Sequence, residues 1–211
     1  MNRVITLKFE AMMERARNEG LFKRMNSPAQ PILHEKNNLR RPHKLDIILN
    51  STPPDEDIQV RHAWNSTDAS SGIFVNKDDK FTFGRQEDND RKIDAIKGKI
   101  GYSHGFHVWQ VEFPFYTCGR IRLGVATKEA RVDSGKGIGN DQESYGWCRH
   151  MNECFHDRST FCEWRYPWGV DGLKRNKKLV LPEKTYCILD MDEGYLAFAT
   201  DGQYLGVAFR G

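Results

Sequence analysis

The chain has 211 residues, of which 29% are charged and 11% are aromatic. Its 32 basic and 29 acidic side chains leave a formal net charge of +3, which is too small and too dispersed to indicate a nucleic-acid-binding surface. No run approaches the ~18–20 consecutive apolar residues of a membrane span, and the N-terminus lacks the continuous apolar segment of a secretory signal.

The first 25 residues carry the only helical periodicity of useful length. Ile5, Phe9, Met12 and Ala16 recur at three- and four-residue steps, as residues on one face of a helix do. A helix this short is rarely stable alone, so we predict one that packs on the domain or frays. A polar connector with three prolines follows, and the two segments make a predicted N-terminal extension of residues 1–44.

From residue 45 onwards the pattern is that of an all-β domain. An apolar clasp at residues 45–49 comes first, and from about residue 58 short apolar runs alternate with turn signals. Such spacing is typical of a two-sheet antiparallel β-sandwich. The predicted strands contain the runs 73–75, 81–83, 106–111, 121–126, 186–189, 196–200 and 205–209.

The clearest local signal is a hairpin near the C-terminus. Asp201-Gly202 separates two apolar runs, and this pair favours a two-residue turn in which both turn positions have a positive φ. Strand alternation puts Leu205, Val207 and Phe209 on one face of the return strand. A second reversal at residues 190–194 adds another strand, so we predict a three-stranded meander.

Four residues could support metal binding or catalysis. Cys148, His150, Cys154 and His156 lie close together in sequence, but zinc sites usually show paired Cys-x2–4-Cys and His-x3–5-His spacings, and this segment lacks a second clean pair. We therefore predict ordinary loop and strand-end residues, with no metal and no cofactor. A Cys–His nucleophile stays open, because such partners meet only in the fold.

Other polar features also favour structural roles. Asp190, Asp192 and Glu193 fall in a predicted reversal, where we expect them to accept hydrogen bonds from turn amides and not to bind calcium. The chain shows no nucleophile elbow, phosphate loop or dinucleotide motif, so we predict that it is not an enzyme. Five cysteines, an odd number, favour reduced thiols in a cytoplasmic protein over a disulfide framework.

Longer motifs run through the chain from residue 61 to its end. They are Arg61-His62-Ala63-Trp64-Asn65, Gly98-Lys99-Ile100-Gly101-Tyr102-Ser103, His107-Val108-Trp109, Gly124-Val125-Ala126-Thr127, Glu143-Ser144-Tyr145-Gly146-Trp147, Leu189-Asp190-Met191-Asp192-Glu193-Gly194 and Asp201-Gly202-Gln203-Tyr204-Leu205-Gly206-Val207-Ala208-Phe209. Together, over about residues 41–211, they resemble the SPRY domain-containing SOCS box proteins, the gustavus-like group. The resemblance implies a two-sheet SPRY sandwich over residues 45–211.

The resemblance also implies a function. In that group the SPRY domain is the substrate receptor of a ubiquitin ligase and grips short peptides of the Asp-Ile-Asn-Asn-Asn type, while a SOCS box recruits elongins B and C and a cullin. The expected role is therefore a substrate-recognition adaptor of a cullin-RING E3 ubiquitin ligase. The alternative is a SPRY protein-interaction module with no link to ubiquitin, and a cysteine- or metal-dependent enzyme is a third hypothesis.

Four residues are the predicted partner-binding set, carried over from the family's peptide site. Arg85 matches the family's arginine, and Glu87 replaces its proline. Gly119 and Arg120 stand where the family has a Gly-Thr pair. The family's tyrosine after Gly-Val-Ala-Thr has no match, so the peptide preference stays open.

The resemblance also bears on the C-terminus. Family members continue past the position of Gly211 through a last core strand and then the SOCS box. We therefore expect the SPRY domain of residues 45–211 to be incomplete, and elongins and a cullin to be partners only if a SOCS box follows in the full-length protein.

Overall fold

The computed structural model describes most of the chain, in several separate ranges. The described residues are 39–86, 93–113, 121–133, 135, 137–149, 151–157, 166–167 and 182–211, together with the backbone of 3–13. Within these ranges the chain forms twelve strands and two short helices.

The helices are α1 (His43–Leu49) and α2 (Glu56–Arg61), and among the described residues no helix is long and apolar enough to cross a membrane. The strands are β1 (Arg3–Met13), β2 (Trp64–Ala69), β3 (Ile73–Val75), β4 (Thr82–Arg85), β5 (Ile96–Gly98), β6 (Phe106–Glu112), β7 (Arg122–Ala126), β8 (Ser144–Cys148), β9 (Glu153–His156), β10 (Lys184–Asp190), β11 (Tyr195–Ala199) and β12 (Tyr204–Arg210).

The strands pair into antiparallel sheets of seven, three and two strands. The main sheet has the order β12-β11-β10-β6-β1-β4-β3, the three-stranded sheet the order β7-β8-β9, and β2 pairs with β5. Apolar side chains of β8 and β9 pack on those of β10, β11 and β12 to form one core. At its centre the rings of Trp147 and Phe198 lie 4.7 Å apart. The predicted all-β antiparallel sandwich is confirmed.

A second core lies on the opposite face of the main sheet, under helix α1. The helix begins after Pro42, whose backbone is extended (φ −69°), and its interior presents Leu45 and Ile48 three residues apart on one face. Both side chains are buried against residues of β6, β10, β11 and β12. The segment predicted as an apolar clasp is thus a helix that covers the outer face of the sheet.

The predicted N-terminal helix is wrong for residues 3–13. They form β1, which lies in the middle of the main sheet and pairs with β6 on one side and β4 on the other. The sequence supports a strand as well as a helix, because Ile5, Leu7, Phe9 and Ala11 alternate at steps of two. The strand is favoured because its backbone forms hydrogen bonds with a strand on each side. A short isolated helix has no tertiary contacts that would stabilise it to the same extent. The predicted boundary of an extension at residue 44 stays a prediction.

The C-terminal meander of β10, β11 and β12 is confirmed, but two local predictions within it are wrong. Asp201 and Gly202 do join β11 to β12, yet neither has a positive φ. The positive value falls instead at Gly206 (φ 92°), inside β12, where the register with β11 shifts twice. The bulges alter the alternation of side chains between the two faces of the sheet. Leu205 and Phe209 therefore lie in the core between the sheets, whereas Val207 lies in the core under α1.

Candidate partner-binding face

Loops from three places in the sequence meet at one end of the sandwich. We call them together the loop face: residues 70–72 after β2, residues 85–86 and 93–95 around the β4–β5 connection, and residues 127–133 and 137–143 between β7 and β8. Loops held on a stiff sheet scaffold are a common location for binding sites. Hydrogen bonds and ion pairs from residues at or near the strand ends hold these loops in place.

An ion pair between Arg85 and Asp94 holds the β4–β5 connection. Arg85 stands at the end of β4, and its Nε donates to Asp94 Oδ2 at 2.6 Å. The Arg85 side chain is 20% exposed and that of Asp94 only 7%. A buried carboxylate needs a partner charge, so the Arg85 guanidinium keeps Asp94 and its loop in place. Part of the Arg85 side chain remains exposed to solvent.

Ser70 joins two of the loops. Its hydroxyl donates to the carbonyl of Val132 at 2.5 Å and accepts a hydrogen bond from the amide of Ala95 at 2.9 Å. The amide of Ser70 in turn donates to the Ala95 carbonyl. One small side chain thus ties the β2–β3 turn to the β4–β5 connection and to the β7–β8 loop.

Lys97 clamps the start of the β7–β8 loop from the neighbouring strand β5. Its ammonium donates to the carbonyls of Ala130 at 2.8 Å and Lys128 at 3.2 Å and pairs with Asp68 at 3.0 Å. An ammonium has three donors in a compact head, which suits it to gathering several carbonyls. The Lys97 side chain is mostly buried, so its role is to stabilise the loop from inside the protein.

Arg122 holds the far end of the same loop. Its Nη1 donates to the Ile138 carbonyl and to Asn140 Oδ1, both at 2.9 Å. The guanidinium carbon lies 3.7 Å from the centre of the Phe155 ring on β9, a favourable cation–π arrangement. The glycine-containing loop is therefore anchored at both ends to strands.

The side chains that the loop face offers to solvent are mixed in charge. Lys128, Glu129, Arg131 and Asp133 are all exposed, and Ile93 adds an exposed apolar group. Arg131 lies 3.2 Å from Asp133, and the hydrogen bond from its guanidinium lowers the pKa of that carboxyl. Such a surface can bind a protein segment through both ionic and apolar contacts.

A cavity of about 600 Å³ lies beside the loop face, between β2, β5, β7 and the main sheet. Trp109, Leu123, Val125 and Leu189 give it apolar walls, while residues such as His62, Asp68 and Lys97 bring polar groups. Arg85 does not line it. The cavity and the loop face are therefore adjacent features that share the start of the β7–β8 loop.

The predicted site residues are only partly placed. Arg85 lies in the loop face, whereas Glu87, Gly119 and Arg120 lie outside the described residues. That these four bind a partner stays a prediction. The residues that organise the face, Ser70, Asp94, Lys97 and Arg122, carry no sequence signal, because their hydrogen-bond partners are set by tertiary contacts.

Those residues considered as metal ligands or nucleophiles that the structure describes lie on strands, where they are buried or bonded to neighbouring groups. Cys148 and Cys154 are buried cysteines on β8 and β9, and His156 donates from Nδ1 to the Ser144 carbonyl at 2.9 Å while stacking on Tyr145. His150 lies outside the described residues. In the part of the chain that is described, no three His, Cys, Asp or Glu residues are grouped to hold a metal ion.

Of the three acidic residues in the β10–β11 reversal, Asp190 accepts hydrogen bonds from turn amides as predicted, while Asp192 accepts from another loop. Asp190 Oδ1 accepts from the amides of Asp192 and Glu193, and Asp192 Oδ1 accepts from Gly105. Lys44 of α1 also pairs with Asp190 at 3.1 Å. The carboxylates stabilise the reversal and fasten α1 to it.

A β-sandwich that holds a face of loops by hydrogen bonds and ion pairs is an arrangement typical of protein-interaction domains. The SPRY domain family model matches residues 106–211. The chain belongs to the SPRY domain family, in its group of SPRY domain-containing SOCS box proteins. The resemblance seen in the sequence motifs is thereby confirmed.

Relatives share much of the chain but are longer. SPRY domain-containing SOCS box protein 1 of Homo sapiens is 39% identical over 175 residues, covering 81% of this chain and 63% of that protein. Protein gustavus of Drosophila melanogaster is 38% identical over 175 residues, 81% of this chain and 61% of its own. F-box/SPRY domain-containing protein 1 of Drosophila grimshawi is 36% identical over 155 residues, 71% and 58%. The chain spans less than two thirds of each.

Proposed function

We propose that the chain is the substrate-recognition part of a cytoplasmic cullin-RING E3 ubiquitin ligase and is not itself an enzyme. The loop face holds a short segment of a substrate protein. A SOCS box in the full-length protein recruits elongins B and C and a cullin.

The fixed loop face is the observation that carries this proposal. Arg85, Lys97 and Arg122 each bond a strand to a loop, and Ser70 bonds one loop to another, so the surface is formed before a partner arrives. A preformed surface loses little conformational freedom on binding. The relatives whose names include the SOCS box support the proposed link to a ligase.

A second candidate function is a SPRY interaction module with no ubiquitin link. One relative carries an F-box in its name instead of a SOCS box, so this type of SPRY domain is joined to different modules in different proteins. Under this alternative the loop face would bind its partner in the same way, but elongins and a cullin would be absent from the complex.

The binding proposal is tested with the Arg85→Ala variant. We measure affinity by titration calorimetry with an Asp-Ile-Asn-Asn-Asn peptide and with segments of proteins captured by the wild-type chain. Because Arg85 fixes the β4–β5 connection, we expect the affinity for a bound segment to fall by about tenfold or more. Circular dichroism checks that the sandwich is retained.

A matched control comes from a similar ion pair elsewhere. Arg41 Nε donates to Asp46 Oδ1 at 2.6 Å beside helix α1, so Arg41→Ala removes the same chemistry away from the loop face. A double variant, Arg85→Ala with Asp94→Ala, removes the pair without leaving a buried charge unpaired. Equal losses in Arg41→Ala and Arg85→Ala, or no loss in either Arg85 variant, would place the binding site elsewhere.

The ligase proposal needs a separate measurement on the full-length protein. Elongins B and C and a cullin should copurify with it, and Arg85→Ala should not change their amounts because they bind outside the SPRY domain. Intact peptide binding without these proteins would favour the module unrelated to ubiquitin.

A further inference from the structure

Two histidines enclose a tyrosine between helix α2, the β5–β6 loop and strand β6. The Tyr102 ring lies 5.8 Å from that of His62, nearly parallel to it, and 3.9 Å from that of His107. Trp109 flanks both Tyr102 and His107. His62 follows α2, Tyr102 belongs to the loop, and His107 is on β6, so the stack joins three parts of the fold.

The hydrogen bonds of this cluster are consistent with neutral imidazoles. His107 is 2% exposed and its Nε2 donates to the His104 carbonyl at 2.7 Å. Its Nδ1 is buried and finds no partner among the described residues. A proton added at this nitrogen would therefore be a buried donor with no acceptor, which is costly.

The contact between His62 and Tyr102 has a preferred direction. At a neutral imidazole whose Nδ1 carries no hydrogen, the phenol of Tyr102 donates its hydrogen to that nitrogen, its close partner. Protonation of His62 at Nδ1 puts a second hydrogen into this bond. Burial raises the pKa of Tyr102 to about 12, so the phenol cannot give up its own proton near neutral pH.

The charged groups around the stack do not offset this cost. Burial, followed by the Arg61 charge, lowers the pKa of His62. Burial also lowers the pKa of His107, assisted by His104 and His62 as neighbouring cations, while the His104 carbonyl and Asp192 act in the opposite direction.

Two further charges lie near the stack but are engaged elsewhere. Asp192 accepts from the Gly105 amide at 2.9 Å. The ammonium of Lys99 donates to the Val60 carbonyl at 2.8 Å.

We propose that His62, Tyr102 and His107 form an acid-sensitive latch, which fastens helix α2 and the β5–β6 loop to strand β6 at neutral pH and releases them in mildly acidic solution. His62, Tyr102 and Trp109 also line the cavity beside the loop face. Release of the latch therefore opens one wall of that cavity.

The sign of the pH effect follows from proton linkage. Each histidine has a lower pKa in the folded state than in the unfolded state, so the unfolded chain binds more protons in acid. The stabilisation is complete above the ordinary histidine pKa of about 6.5. It is lost progressively as the pH falls from there towards the lower folded-state values.

The test compares thermal unfolding of the 211-residue chain at pH 7.5 and pH 5.5 in the wild type and in a double variant, His62→Asn with His107→Gln. The Asn oxygen replaces the acceptor at Nδ1 of His62, and the Gln amide replaces the donor at Nε2 of His107, but neither can be protonated. A tenfold change in the folding equilibrium shifts Tm by about 3–5 °C at this chain length. We expect at least that loss in the wild type and less than half of it in the double variant.

Two additions make the test decisive. His43→Gln, on the exposed surface of α1, should keep the wild-type dependence of Tm on pH. His156 is present in every protein compared, so it does not affect the difference between them. The imidazole signals of the wild type, followed by NMR, should show two histidines that titrate below pH 6.5, with faster amide exchange over residues 99–105 in acid. Equal Tm losses in the wild type and a folded double variant, or ordinary titration of both histidines, would overturn the latch.

Discussion

At the scale of single residues, a buried hydroxyl bridges two strands of the main sheet. The Tyr166 hydroxyl donates to the carbonyl of Gly206 at 2.6 Å and accepts from the amide of Phe198 at 3.1 Å. Phe198 and Gly206 are register partners on β11 and β12, so the phenol fills the gap that the bulges leave. Removing it exposes two backbone groups to an apolar core.

We expect Tyr166→Phe to lower the free energy of unfolding by about 1–3 kcal/mol, because a buried donor and acceptor lose their partner. Urea unfolding at neutral pH measures the loss. Tyr186→Phe is the matched control: its hydroxyl donates to Asp201 at 2.7 Å, at a carboxylate that water reaches, and should cost less than about 1 kcal/mol. A larger loss in the control would contradict the bridging role.

The residues of the candidate site show what sequence reasoning could reach. The family resemblance predicts Arg85 as a site residue but not its partner Asp94, because an ion pair across a connection leaves no periodic signal. Ser70 bonds to Val132, 62 residues away, and Lys97 reaches Ala130. Contacts of this kind depend on which loops the sheets bring together, and no local pattern contains that information.

At the scale of elements, β1 is the part of the fold that most needs an independent test. Thr6 pairs with Thr82 of β4 and with Glu112 of β6, so proline at this position removes a ladder hydrogen bond and its ring opposes a neighbouring strand. We expect Thr6→Pro to lower the unfolding free energy by more than about 2 kcal/mol, measured by urea unfolding.

Thr6→Ala serves as the control for Thr6→Pro, because it shortens the same side chain and keeps the backbone donor. Amide hydrogen exchange gives a second readout, in which residues 3–13 should be protected like those of β6. Rapid exchange there, or equally small losses in the two variants, would mean that β1 is not a central strand.

Seven of the other strands (β3, β4, β6, β7, β10, β11 and β12) overlap runs predicted from strand alternation and turn residues, which are local signals. No predicted run covers β2, β5, β8, β9 or α2. The run 73–75 coincides with β3, and the apolar runs predicted near the C-terminus lie within β10, β11 and β12 apart from Thr200. The errors arose where two periods fit the same residues, as in β1, or where a bulge changes the face, as at Gly206. A backbone irregularity of one residue reverses every later assignment of in and out.

At the scale of the whole molecule, the main sheet has a core on each face. One core lies against the three-stranded sheet, and the other lies under α1. Strands β10 and β11 are therefore buried on both sides, unlike strands with a solvated face. The helix, only seven residues long, gains its stability from this packing and in return shields the sheet from water.

Helix α1 offers a matched pair of substitutions for testing its role. Leu45 is fully buried in the core under the helix, whereas Ile47, two residues along the same helix, is 47% exposed. We expect Leu45→Ala to lower the free energy of unfolding by about 2–4 kcal/mol, through lost burial and the cavity left behind. Ile47→Ala should cost less than about 0.5 kcal/mol. Urea unfolding of both variants measures the difference, and similar losses would show that α1 does not belong to the cooperative core of the sandwich.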